Sequence, residues 1–205
     1  MNVGNSIRKA IDDWQQSELE SSMLHACNAV EGTASKLYPK MGSNARFTKF
    51  LRENYAIFGP MAVPGIDLVT TRWPVKVPHP KASGGKPDLA DRIYGIHRCT
   101  HGHGAELPDG FALLLNASGP HRVTDLMVEK GKVRLSDRVI FGLIGVAVFS
   151  PVNLDQSVPP GYHLTFAGET LLINDWWGRA FDFTKRAALE PLPSVHLNFT
   201  DWMDE

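Results

Sequence analysis

The stretch Tyr94-Gly95-Ile96-His97-Arg98-Cys99-Thr100-His101-Gly102-His103-Gly104 gathers three of the chain's eight histidines, one of its two cysteines and an arginine. A guanidinium holds phosphate oxygens through two parallel N–H donors, and an imidazole titrates near neutrality. Arg98 and His103, separated by four residues, therefore suit chemistry at a phosphate. On an uninterrupted helix the two would diverge by about 140°. Gly102 and Gly104 predict instead that the helix ends near His101, which lets His103 fold back toward Arg98. On RNA, neutral His103 can take the proton of a 2′-hydroxyl, which then attacks the adjacent phosphate while Arg98 offsets the developing charge. That reaction needs no metal, leaves a cyclic phosphate end and spares DNA.

The same residues admit other readings. Arg98 can be a structural partner of Asp88, Asp91 or Glu106, and His103 a helix-terminal histidine without chemistry. His97 with His101, and Cys99 with His103, stand four apart and could share a zinc ion, but no second Cys/His group has convincing ligand spacing, so no metal is expected. Cys99 beside an imidazole could be a nucleophile, although a cysteine next to a helix is more often a small buried hydrophobe. Farther on, Trp176-Trp177-Gly178-Arg179 could stack on bases, against the commoner role of tryptophan in a core. Lys81 to Lys86 lacks the glycine spacing of a phosphate-cradling loop.

The elements that must position this motif are mostly helical. Asn5 or Ser6 caps a first helix ending near Gln16, with Ile7, Ile11 and Trp14 on one face. Ser17 and Glu20 have the form of a capping box opening a second helix, striped by Met23, Cys27, Val30, Ala34 and Leu37 and closed by Pro39. Asn44 begins a third, with Phe47, Phe50, Leu51 and Tyr55 buried, stopped by Gly59-Pro60. Residues 61–86 carry four prolines and three glycines and read as a loop excursion with at most one strand, near Ile66 to Arg72. Pro87 and Asp88 start the motif helix, with Leu89, Ile93 and Ile96 toward the core.

Beyond the motif, residues 111–135 predict strands that include a hairpin turning at Glu129 to Lys132. Ser136 or Asp137 caps an apolar fifth helix running to about Phe149. Its 11-residue run from Val139 is too short to cross a hydrocarbon core, which takes about 20 residues. Residues 162–173 predict a second hairpin within a β or irregular extension, 151–205, packed on a helical domain of residues 1–150.

An arginine, four residues, then histidine and glycine at the end of a helix in a mainly α chain resembles the HEPN superfamily, in particular its Abi-like members. The helix Arg46-Phe47-Thr48-Lys49-Phe50-Leu51, ahead of a loop and the motif helix, also matches their layout. Cys99 stands where the commonest form of the motif has a polar residue. The resemblance covers roughly Ser17 to Leu107 and implies a helical bundle of about five helices, frequent homodimerisation and, in many members, metal-independent endoribonuclease activity in toxin or antiviral systems. It implies Arg98 and His103 as catalytic residues. His97, Thr100 and His101 would assist, and Arg46, Lys49 and Arg92 would contact phosphate or RNA. The alternative is a catalytically silent binding or dimerisation module of the same fold.

Charge adds one constraint. The net charge of −1 leaves no global footprint for nucleic acid, but residues 44–103 hold nine Lys and Arg against four Asp and Glu, and residues 154–205 hold three against eight. A basic centre could face an anion while the acidic end covers another surface or masks that one. Two cysteines make no disulfide framework, and the charged start lacks the apolar run of a secretory signal; both predict a cytoplasmic protein. No cofactor is expected. The partners expected are a second copy, RNA, and an antitoxin or regulatory protein, with no membrane.

Overall fold

The computed structural model describes residues 2–96, 111–115, 124, 126–189, 191 and 193–202. The fold is mainly α, with eight α-helices and five short strands among those residues. Helix α1 (Val3–Gln15) is capped by Asn2, whose side chain accepts from the backbone N–H of Asn5, and buries Val3, Ile7, Ala10 and Ile11 along one face. Ser17 then takes a left-handed conformation, with φ 64°, and α2 (Leu19–Leu37) starts from Glu18 without a side-chain cap. The capping box expected at Ser17 and Glu20 does not form, because Ser17 is spent on the reversal between two antiparallel helices. The small stripe of α2 lies against α1 so closely that the buried Ser22 hydroxyl donates to Ala10 O at 2.6 Å.

The expected third helix is two. Helix α3 (Ser43–Glu53) ends where Asn54 leaves helical geometry and its side-chain amide donates to Phe50 O at 2.8 Å. Helix α4 (Tyr55–Ala62) then runs through Gly59-Pro60 rather than stopping there. The reason lies in α6 (Arg138–Val148), on which α4 packs. Gly142 and Gly145 remove the side chains that would meet α4: a Cβ on Gly142 would sit 2.6 Å from Ala62 Cβ, and one on Gly145 2.5 Å from Met61 Sδ. Arg138 reaches back to the end of α4, donating from Nε to Met61 O at 3.1 Å.

Helix α5 (Leu89–Ile93) is short and continues as a wider π turn over residues 94–96. Leu89, Ile93 and Ile96 face the core as expected. Strands β1 (Phe111–Leu114), β2 (Met127–Glu129) and β3 (Lys132–Ser136) form a sheet in the order β1-β3-β2. The β2–β3 hairpin turns at Gly131, φ 73°, as expected, whereas β1 joins β3 in parallel. At the start of α6, Ser136 Oγ accepts from Arg138 N at 3.2 Å, while the buried Asp137 carboxylate accepts from Trp14 Nε1 at 2.9 Å.

Strands β4 (His163–Phe166) and β5 (Glu169–Leu172) make the second expected hairpin. Its two turn residues, Ala167 (φ 49°) and Gly168 (φ 80°), are both left-handed, the conformation that matches the twist of paired strands. Helices α7 (Ile173–Trp176) and α8 (Ala180–Ala187) follow, so the C-terminal part is not only β and irregular. Phe183 of α8 stacks on Phe149 at 4.4 Å between ring centroids, and Ile173, Trp177 and Phe183 belong to the same core as the helices before them. Trp177 is a core residue. Arg179 instead lies over the Trp176 ring at 4.8 Å, which occupies the face a base would use. No described helix is long and apolar enough to cross a membrane.

Candidate functional site

The segment holding Arg98, His103, His97, Thr100 and His101 lies outside the described residues, as does Cys99. What the structure describes is the foundation from which that segment leaves. Asp88 caps α5: its Oδ1 accepts from the backbone N–H of Asp91 at 3.0 Å. Arg52 of α3 donates from Nε to Asp88 Oδ2 at 2.6 Å and from Nη2 to Asp88 Oδ1 at 3.0 Å, a bidentate pair, and Nη2 also lies 2.8 Å from Asp91 Oδ1. Tyr55 OH, at the start of α4, donates to Asp88 at 3.3 Å. Asp91 accepts from the backbone of Lys81 and Ala82, at 2.8 and 2.9 Å, and so ties the excursion to α5.

Arg92 completes the cluster. It is fully buried and donates from Nη2 to Trp73 O, while its Nε and Nη1, and the indole Nε1 of Trp73, find no hydrogen-bond partner among the described residues. Two arginines balance two aspartates, so the cluster is neutral as a whole. Burial opposes the charge on Arg52, but hydrogen bonds and the charges of Asp88 and Asp91 outweigh it and hold the guanidinium above its usual range. For Arg92 burial prevails and draws the guanidinium down, with Asp91 and Asp88 opposing. Burial, then the Asp88 charge, pushes the Tyr55 phenol up. A charged group this enclosed contributes through its partners; breaking one arm strands the others.

The residues expected to contact phosphate each have a partner within the protein, Arg92 and Arg46 with buried groups and Lys49 at the surface. Arg92 has no exposed surface. Arg46 binds the buried Glu31, donating from Nε at 2.8 Å and again from Nη2, and Ser43 Oγ donates to the same carboxylate oxygen at 2.8 Å. Lys49 pairs with Glu53 and lies over the Tyr38 ring, 5.3 Å from its centroid, on a part-exposed helix face. The three therefore do not form one surface. Asp88 and Asp91, offered by the sequence as partners of Arg98, are taken by Arg52. Nothing in the spacing shows this, because Arg52 and Asp88 are 36 residues apart. Among the described residues no group of three His, Cys, Asp or Glu could hold a metal ion.

A second polar site lies where the excursion meets the C-terminal strap. Val195 bridges Ile66 in parallel, Val195 N donates to Gly65 O at 2.9 Å, and Asp67 N donates to Val195 O at 3.0 Å. Phe199 stacks on the buried Trp73 at 6.1 Å. Acidic-end residues thus cover part of the basic centre, and between them is a hollow of about 180 Å³ lined by Thr70, Arg72, Lys86, His196 and Asn198. A larger and more apolar cleft, about 290 Å³, lies beside it between α4, the excursion and the end of α8.

The Rv1289 family model matches residues 2–203. Three mycobacterial relatives, the uncharacterised proteins Rv1289 and MT1327 of two Mycobacterium tuberculosis strains and Mb1320 of Mycobacterium bovis, are each 38% identical over 203 residues. The alignment spans 98% of this chain and 95% of each relative. No solved structure matches the chain. With a family match from one end of the chain to the other and that level of identity along it, the chain belongs to the Rv1289 family.

Proposed function

We propose that the protein is a HEPN-like, metal-independent endoribonuclease of a toxin or antiviral system, acting in the cytoplasm as a homodimer. Arg98 stabilises the pentavalent phosphate and His103 moves the proton; His97, Thr100 and His101 position them. The observation that supports this reading is the foundation under the motif. Arg52, Asp88, Asp91 and the core residues Leu89, Ile93 and Ile96 fix the chain up to one residue before His97. A catalytic pair needs a rigid support of this kind, since small misplacements cost large factors in rate. The mainly α fold and the π turn at residues 94–96, a feature frequent at functional sites, point the same way.

A second reading is favoured by the engagement of Arg46 with the buried Glu31 and the burial of Arg92, which leave RNA without two of its expected contacts. In it the fold is a silent binding or dimerisation module. Induced expression separates the two: growth arrest by the parent that is relieved by His103→Ala supports the nuclease, and equal growth of both supports the module. An antitoxin or regulatory partner would co-purify with the parent in the first case.

A further inference from the structure

Residues 193–202 lie along the excursion as a strap, and the ring they cover is Trp73. Phe199 stacks on Trp73 with 6.1 Å between centroids and 30° between planes, and Trp202 lies on Phe199 at 5.4 Å. Three aromatic rings thus follow one another from the core outward, with exposure rising from 1% at Trp73 to 39% at Trp202. Asp201 stands between the last two in sequence, and Met203-Asp204-Glu205 follows. Stacked rings interleaved with carboxylates present the chemistry of a short single strand of nucleic acid, whose bases stack and whose phosphates carry the charge. The excursion beneath is of the opposite sign: residues 61–86 hold four Lys and Arg against one acid, Asp67.

The strap lies on the surface. Beyond the bridge of Val195 with Ile66, Leu197 N donates to Thr71 Oγ1 at 3.3 Å and His196 Nδ1 lies 2.9 Å from Thr70 Oγ1. Val195 itself is 53% exposed. Under this cover Trp73 is buried, yet its indole Nε1 finds no hydrogen-bond partner among the described residues. The same holds for Nε and Nη1 of Arg92, whose Nη2 donates to Trp73 O. A buried donor without an acceptor is costly, and Phe199 has a ring with no polar atom to offer. A nucleotide stacked in its place brings oxygens that can accept. The strap therefore fills the aromatic part of the site and leaves its polar part unanswered.

We infer that the strap is an autoinhibitory cover, occupying in cis the face of Trp73 on which a base of single-stranded RNA stacks, and that RNA displaces it. The inference rests on the reading that the protein acts on RNA; it adds where the strand docks and what holds it off. A ligand that binds only the open form has its apparent affinity lowered by the fraction of chains that are open, so loosening the strap tightens binding without any new contact.

The test is fluorescence anisotropy with a labelled uridine-rich RNA of about 12 nucleotides, the full chain carrying Arg98→Ala and His103→Ala throughout so that the probe stays intact. Phe199→Ser with Trp202→Ser is expected to tighten binding about tenfold or more. Adding Trp73→Leu to that opened chain should return binding to the level of the covered chain or below. Because Trp73 is buried and its replacement can disturb the fold, a second measurement stands beside it. A synthetic peptide of residues 193–205 should compete with RNA for the opened chain, and the same peptide carrying Phe199→Ser and Trp202→Ser should not. Circular dichroism checks each fold. Equal affinity of covered and opened chains, RNA binding by neither, or binding to the opened chain that the peptide leaves untouched overturns the inference. The nuclease reading fails separately: binding as expected, with no cleavage by a chain that keeps Arg98 and His103, sinks that reading and leaves the cover standing.

Discussion

Arg52 and Asp91 lie on different helices, 39 positions apart in sequence, yet the guanidinium Nη2 of one sits 2.8 Å from Oδ1 of the other, with Asp88 gripped by the same arginine. The pair closes a buried circuit that joins α3, α5 and the excursion. It also explains why a helix of five residues holds its place.

Removing that arginine leaves two buried carboxylates without their main counter-charge. Arg52→Ala is expected to cost about 3–5 kcal/mol in urea denaturation. The Arg52→Lys variant, which cannot reproduce the bidentate bond to Asp88, should recover only part of the loss. Unchanged midpoints would show that the cluster does not hold α5.

Arg46 gives a sharper contrast, since the sequence reading makes it a contact for RNA and the structure makes it the partner of Glu31. Arg46→Ala leaves a carboxylate of 5% side-chain exposure unpaired, and stability should fall by about 3 kcal/mol. The double variant Arg46→Met with Glu31→Gln should regain much of it. A variant with parental stability and weaker RNA binding would restore the surface role.

The interface of α4 with α6 tolerates no added side chain at its closest points. Gly142→Ala and Gly145→Ala should each destabilise by about 1–3 kcal/mol, because the Cβ must displace Ala62 or Met61 in a filled core. Thermal melts read the effect directly.

Alkaline titration follows from the phenols. Burial, then the hydrogen bond and charge of Glu53, pushes Tyr38 up to about 12, and burial with Asp88 pushes Tyr55 up as well. In each case the native state keeps a proton that the unfolded chain has released. Their contribution to stability is therefore full below pH 10 and is lost as the pH rises through the raised values, for Tyr38 through about 12 and for Tyr55 later. Tyr162, hydrogen-bonded to Asp12, is raised too, so phenolate absorbance should show Tyr38, Tyr55 and Tyr162 titrating later in the native protein than in denaturant, where tyrosines titrate near 10.

The helices were legible wherever a long apolar side chain recurs every three or four residues, as in Ile7 and Ile11 or Leu89, Ile93 and Ile96. The hairpins were legible from their turn residues, Gly131 and Gly168. What periodicity does not carry is which partner an element meets. Pro60 inside a helix, the parallel seat of β1 on β3, and the internal roles of Arg46 and Arg92 all depend on residues distant in sequence. The signal that could have flagged the charge cluster is the Asp88-x-x-Asp91-Arg92 run itself: a helix start this charged, yet flanked by Leu89 and Ile93, has to bury part of its charge and find a distant counter-ion.

The central claim is tested most directly by the ends of cleaved RNA. Purified protein is incubated with mixed-sequence RNA in EDTA, beside an Arg98→Ala, His103→Ala variant shown to melt at the same temperature, and the products are analysed for their 3′ termini. The account predicts cleavage by the parent alone, leaving 2′,3′-cyclic phosphates and sparing substrates that carry 2′-deoxyribose. Intact RNA with both proteins, or equal cleavage by both, would contradict it.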